Sequence, residues 1–195
     1  MKKHSRRSVP GIVFFVFILA AIVLYVRGSS GSAKIEFVED GATATQTATP
    51  NEIDSKIKEF GIKIEKINVL VPVIKDVDGK NKTAYNKALK DGVAHFSGTA
   101  LPGEKGNIFV FGHSSADYKT DFAKVFVDLN NLEEGDTIVV FYQNNEHKYK
   151  VSEKKIIEPT DTSVLNKGRK EILTLMTCWP IGTKEKRLIV VAKPE

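Results

Sequence analysis

A disulfide framework is excluded from the start, because the chain of 195 residues contains a single cysteine, Cys178. A solitary thiol has no intramolecular partner. In an exported protein it pairs between molecules or stays free and reactive, whereas buried in a core it is only a small hydrophobe. Cys/His clusters with metal-ligand spacing are lacking, and so are a glycine-rich phosphate loop and any internal repeat. These absences remove zinc-finger, nucleotide-binding and solenoid readings, and no metal or cofactor is expected. Acidic residues are absent from the first 27 positions, where Lys2, Lys3, Arg6, Arg7 and Arg27 account for the whole net charge of +5. Residues 28–195 then carry 24 basic against 24 acidic residues. No nucleic-acid partner is expected, since that would need a basic patch on the folded part.

Charge of either sign is missing from Val9 to Val26, a run of 18 residues. As a helix it is about 27 Å long, close to the hydrocarbon thickness of a bilayer. Basic residues before it predict a cytoplasmic N-terminus and an exported remainder. A cleaved signal peptide competes with an uncleaved anchor, because small residues follow at Gly28–Ala33. The length of the run and Arg27 directly after it favour the anchor. The expected organisation is a basic cytoplasmic tail (1–8), a single-pass transmembrane signal-anchor (9–26), a flexible linker rich in Gly, Ser, Ala and Thr (27–50) and a folded domain (51–195) outside the cell.

Thr49-Pro50 predicts a helix start, and Ile53, Ile57 and Phe60 a helical stripe ending at Gly61. From Ile62 the apolar period becomes two, through Ile64 toward Ile67, and a second strand covers Val69–Ile74. Pro72 assigns that strand to an edge or a bulge. Asp78-Gly79 signals a turn, and Tyr85, Ala88 and Leu89 a short helix closed near Gly92. Asn107–Gly112 lacks alternation and reads as a strand buried on both faces. Phe122, Val125, Leu129 and Leu132 recur at helical spacing up to Gly135. Further strands are expected at Thr137–Tyr142, His147–Glu158, Glu171–Cys178 and Arg187–Ala192, the first two joined at Asn144-Asn145. Seven or eight strands with few short helices predict a mainly β fold, a barrel or a sandwich.

Cys178 closes one strand, and Arg187 opens the next nine residues later. If the two pair antiparallel, both residues lie at the loop-proximal end. Thr174, Met176 and Cys178 then share one face of their strand, and Arg187, Ile189 and Val191 likewise share a face of theirs. A guanidinium there would lower the thiol pKa and could donate to an oxyanion. Of the four histidines, His4 lies on the basic tail, and His147 sits in a polar hairpin. His95 lies in Gly92–Gly98, and His113 ends a buried strand with its side chain free to face a cleft. Each residue also has an ordinary reading: His113 as a structural imidazole, Arg187 as a solvated strand residue, Thr177 as a strand former, Trp179 as loop packing rather than a groove wall.

Taken together, the pattern resembles the sortase family, cysteine transpeptidases of bacterial surfaces. The family's Thr-Leu-x-Thr-Cys stands here as Thr174-Leu-Met-Thr-Cys178, and its strand-opening Arg as Arg187-Leu-Ile-Val-Val191. Its Gly-His strand end is Gly112-His113, preceded by Pro102-Gly-Glu-Lys-Gly-Asn107. Ile64–Val73 is similar to the family's first strands. The resemblance covers residues 60–193 and implies a closed sortase-type β-barrel of about eight strands. It implies Cys178 as nucleophile, His113 as general acid and base and Arg187 as substrate and oxyanion holder, with Thr177 and Trp179 at the substrate. It implies as partners surface proteins bearing a C-terminal Leu-Pro-x-Thr-Gly-like (LPxTG-like) sorting signal and an amine acceptor such as a cell-wall precursor, without a cofactor. Ser114-Ser115 and Trp179 depart from the common pattern. The spacer lacks the Asp-Pro-aromatic lid of pilin-polymerising class C, which favours a class D/E-like or housekeeping role. Sortase-like hydrolysis and a non-enzymatic tethered barrel are the competing readings. An L,D-transpeptidase is disfavoured because His113 and Cys178 lie 65 residues apart.

Overall fold

The structure, a computed structural model, describes residues 50–115, 119–166 and 168–195. The expected tail (1–8), membrane span (9–26) and linker as far as residue 49 lie outside the described residues. Among the described residues no helix is long and apolar enough to cross a membrane.

Helix α1 (Pro50–Glu59) begins at its proline and carries an exposed Lys56–Glu52 pair one turn apart. It runs straight into strand β1 (Phe60–Ile64), so Phe60 belongs to the strand and to the core rather than to the predicted helical stripe. Gly61 permits this junction, because a Cβ there would stand 2.5 Å from the Ile57 carbonyl oxygen. The helix's last carbonyls are not left bare: Glu59 and Lys58 accept from the amides of Gln143 and Asn144, each at 2.9 Å.

The remaining elements are β2 (Val69–Val77), α2 (Lys82–Ala88), β3 (Val93–Phe96), β4 (Asn107–Phe111), β5 (Thr137–Tyr142), β6 (Asn145–Ile157), β7 (Ile172–Trp179) and β8 (Lys186–Pro194). The eight strands close into a barrel in the order β1-β2-β3-β4-β7-β8-β6-β5, which bears out the expected fold class with two short helices. Two neighbouring pairs are parallel, β2 with β3 and β4 with β7; the others are antiparallel. Closure leaves β2 no free edge, so Pro72 is not on one. It pairs with Gly61 on one side and stands one residue ahead of the β3 ladder, which starts at Val73 opposite Val93. The expected bulge falls later, where the register shifts between Ile74 and Val77 and Asp76 takes a left-handed φ of 55°. Asn81 caps α2 by accepting from the amides of Thr83 and Ala84, both at 3.1 Å.

Strand β4 explains its own lack of alternation. Ile108 and Val110 enter the barrel interior with Leu173, Leu175, Leu188 and Val190. Phe109 and Phe111 face a second apolar cluster outside the wall, with Val77, Ala88, Leu89 and Ala94. That outer cluster seats α2 against the wall. The segment around Phe122–Leu132 is not the α-helix its spacing predicts. It is a run of turns closed by amide bonds three residues back, such as Val125 to Phe122 at 3.2 Å, with a 3-10 turn at Leu129–Asn131. The Phe126 amide leaves this ladder and donates instead to the carbonyl of His113 at 3.0 Å.

Candidate active site

Three adjacent strands meet at one rim of the barrel. Strands β4 and β7 run parallel with Phe111 opposite Met176, an offset of 65 residues that also separates His113 from Cys178. Beyond the last β4 rung the chains stay together through side-chain and amide bonds. The Gly112 amide donates to the Met176 carbonyl at 3.1 Å, the Thr177 hydroxyl to the Gly112 carbonyl at 2.9 Å, and the Ser114 hydroxyl to the Cys178 carbonyl at 3.0 Å. His113 is therefore fastened beside Cys178 from both neighbouring residues. Across β7, Cys178 stands directly opposite Arg187 of β8. Neighbouring strands lie about 4.8 Å apart, so the backbone at Cys178 has the His113 segment on one side and Arg187 on the other.

Gly112 is the residue this approach requires. A Cβ there would meet Phe126 at 2.8 Å and Val125 and Val93 at 3.0 Å. The bare backbone lets the turn run lie against the end of β4 and lets the Phe126 amide reach His113.

A cavity of about 300 Å³ opens on this rim. Its wall is Phe111, Gly112 and His113 after β4, Met176, Thr177 and Cys178 of β7, Arg187 of β8 and Lys184 of the β7–β8 loop, faced by Gly79, Tyr85 and Leu89. A larger one, about 510 Å³, lies over β1, β5 and β6 and is lined by three lysines and three glutamates without thiol or imidazole. Volume alone points there, but the smaller cavity holds the groups that can do nucleophilic chemistry.

His113 is 8% exposed, and burial holds its pKa below the usual imidazole range, with the Lys184 ammonium adding to the effect. Cys178 is half-buried and free of disulfide. Arg187 donates from Nη1 to the carbonyls of Lys184 at 3.1 Å and Lys186 at 2.8 Å, so it grips the loop that borders the cavity. Thr177 is buried and lines the cavity, with its hydroxyl committed to Gly112. Trp179 packs against the main core and is not among the residues lining this cavity. His95 lies in β3, fully buried, its ring held by the Asp76 amide and the Ala100 carbonyl, away from the thiol. Sequence reasoning missed Lys184 and Ser114 as members of the site. Neither carries a periodic signal, and Ser114 registers in the sequence only as a departure from the common pattern.

A rim cavity lined by a thiol, an imidazole and a guanidinium holds the groups that cysteine-nucleophile chemistry uses. The comparisons with known proteins carry this to a family. The model of the Sortase domain matches residues 62–195, and the chain belongs to the sortase family. It is 30% identical over 136 residues to "Sortase D" of Bacillus subtilis, a match covering 68% of this chain and 61% of that protein, about three-fifths of its length. Among solved structures it is similar to a Clostridium perfringens Sortase D5 transpeptidase, at 30% identity and a TM-score of 0.58 over 71% of this chain and 79% of that one. It is also similar to Clostridium perfringens sortase C with the C-terminal cell wall sorting motif, at 27% identity and a TM-score of 0.58 over 69% of each.

Proposed function

We propose that this chain is a cysteine transpeptidase of the cell surface, tethered by residues 9–26 with its N-terminus in the cytoplasm and its catalytic domain, 51–195, outside. It cleaves an LPxTG-like sorting signal between Thr and Gly and passes the acyl group to an amine of a cell-wall precursor or surface protein. The placement of Cys178 between the His113 segment and Arg187 supports this most directly. So does the similarity to a sortase solved with its sorting motif.

In this reading the neutral imidazole of His113 takes the proton of Cys178, and the thiolate attacks the Thr carbonyl carbon. Arg187 faces the developing oxyanion. As the tetrahedral intermediate collapses, the C–N bond breaks and His113 gives its proton to the leaving amine. Burial makes the imidazolium a minority species and therefore a stronger acid toward that amine. Thr177 and Met176 wall the groove that takes the signal peptide, with Thr177 acting through its bond to Gly112. An anchoring role of the class D/E type fits the similarity to "Sortase D" and the absence of a class C lid motif in the sequence.

The test is cleavage of a quenched LPxTG peptide by the full-length, detergent-extracted chain, with and without an amine acceptor. Cleavage plus an acceptor-joined product supports transfer. Cleavage that yields only the free acid, whatever the amine, would establish hydrolysis instead, and no cleavage of any sorting peptide would leave the tethered-barrel reading.

A further inference from the structure

The groove at Cys178 has a far wall that β4, β7 and β8 do not supply: Gly79 in the turn after β2, with Tyr85 and Leu89 from α2 and its end. Gly79 follows shortly after Asp76, where the β2–β3 register shifts and φ is 55°. His95 of β3 holds that bulge. Its Nδ1 accepts from the Asp76 amide at 3.3 Å, and its Nε2 donates to the Ala100 carbonyl at 3.0 Å. An amide can only donate and a carbonyl can only accept, so the neutral ring with its proton on Nε2 is the form that satisfies both. The Thr99 hydroxyl, 2.9 Å from Nε2, spends its own proton on the Phe96 carbonyl at 2.7 Å. Phe96, the next residue of β3, seats the turn, because a Cβ on Gly79 would run into its ring. That ring also meets Phe111 of the groove edge-on, with centroids 6.3 Å apart. Consecutive residues of β3 thus fix the bulge and the turn into which it leads.

We propose that His95 is a positioning residue for the peptide groove, and that its protonation shifts the Gly79 wall and weakens peptide binding. The identity of the ligand rests on the transpeptidase reading; the movement of the wall does not. A proton on Nδ1 turns that nitrogen from acceptor into donor, so two donors face each other at the Asp76 amide. Asp76 Oδ1 lies 3.6 Å from Nδ1 and is the acceptor within reach. The ring exchanges the amide of Asp76 for its carboxylate, and the amide that pinned the bulge is released. Between bulge and turn the Val77 carbonyl is held by the Ser97 amide at 2.9 Å. A shift at Asp76 therefore reaches Gly79 through paired backbone rather than being lost in a loose loop.

Among the described residues, the charges that act on the ring are Asp76 and Lys75 of β2 and Glu104 of the β3–β4 loop. Phe60 of β1, with its ring centroid 5.8 Å away, and Val110 of β4, paired opposite, bring none. Tyr142 of β5 reaches Phe60 rather than the imidazole. Burial disfavours the charged ring most, Lys75 adds to that, and Asp76 and Glu104 oppose it. The exchange therefore falls on the acid side of the usual imidazole range. His113 titrates separately: it serves the reacting atoms and governs kcat, whereas His95 acts through the groove wall and governs KM.

The experiment uses the full-length chain in detergent between about pH 7.5 and 5.0. NMR follows the His95 ring and the Gly79 amide, and cleavage of a quenched LPxTG peptide gives KM and kcat. The Gly79 amide should titrate with the His95 ring, and KM should rise about twofold to tenfold over the same step, the scale of one hydrogen bond. His95→Gln supplies an acceptor and a donor without titrating. It should keep KM at neutral pH and abolish both the KM step and the Gly79 titration. Asp76→Asn suits the left-handed backbone and removes a carboxylate that favours the charged ring, so both steps should move to lower pH; it carries the test if the glutamine chain does not fold. A Gly79 amide indifferent to the His95 titration, a KM step that survives His95→Gln, or steps unmoved by Asp76→Asn would overturn the proposal. A Gly79 amide that follows His95 in a chain that cleaves no sorting peptide would instead uphold the moving wall and overturn the transpeptidase reading.

Discussion

Replacing Thr177 by valine removes a hydroxyl and almost no volume, at a position 3% exposed. The hydroxyl donates at 2.9 Å to the carbonyl of Gly112, the residue before His113. Loss of a buried donor leaves that acceptor unsatisfied, at a cost of about 1–3 kcal/mol in stability. The catalytic effect follows from what the bond fastens. Among the described residues, hydrogen bonds from Gly112 to Met176, Thr177 to Gly112 and Ser114 to Cys178 hold the His113 segment beside Cys178 past the end of β4. A misplacement of about 1 Å costs on the order of a hundredfold in rate. With the Gly112–Met176 and Ser114–Cys178 bonds left in place, kcat should fall about tenfold, as part of that loss, while KM changes little. Thr177→Ser keeps the hydroxyl and should retain most of the rate at a stability cost of about 1 kcal/mol for the lost methyl. Urea unfolding and steady-state cleavage of a quenched sorting peptide read both quantities. A raised KM at unchanged kcat would show that the hydroxyl binds substrate, and an unchanged kcat in a destabilised Thr177→Val chain would refute the positioning argument.

Arg187→Lys keeps the charge but loses the planar fork, so kcat/KM should fall about a hundredfold, the scale of one oxyanion donor, with little change in melting temperature. Near-normal turnover would remove Arg187 from the oxyanion role. Lys184→Ala takes away a cation that presses the His113 pKa down, so the imidazole titration followed by NMR should move upward; a downward or absent shift would contradict that cause. His95 is likewise held below the usual imidazole range, by burial above all. Its Nδ1 accepts from the Asp76 amide at 3.3 Å and its Nε2 donates to the Ala100 carbonyl at 3.0 Å, an arrangement that needs the neutral ring. Since the folded pKa lies below the unfolded value of about 6.5, this stability is fully present above pH 6.5 and is lost as pH falls through the folded pKa. The urea midpoint should drop from pH 7.5 to pH 5.0, and His95→Gln should flatten part of that drop; an identical pH slope in the variant would exclude His95 as a source.

The site was more legible in the sequence than the path of the chain that builds it. Cys178 and Arg187 each end a strand with clear apolar pattern on either side of a short loop, so their pairing could be reasoned from alternation alone. His113 could be placed at the end of a buried strand, but the β4–β7 parallel register that sets it beside the thiol leaves no local trace, because parallel neighbours are chosen by the whole barrel. Strand β3 went unseen because four residues buried almost throughout show no period. The helical spacing of Phe122, Val125 and Leu129 misled because the Phe126 amide is taken by His113, a tertiary contact that breaks the helical ladder. Lys184 lies in a loop, where side-chain position follows from the turn at Gly182 and the grip of Arg187 rather than from any pattern.

The central claim is that Cys178 carries the acyl group. The direct measurement is mass spectrometry of the full-length chain quenched in acid during turnover of an LPxTG peptide, followed by peptide mapping. The account predicts an added mass equal to the fragment ending in Thr, located on Cys178, released by hydroxylamine and absent from Cys178→Ala. Turnover that persists in Cys178→Ala, or an adduct mapping to another residue, would contradict it.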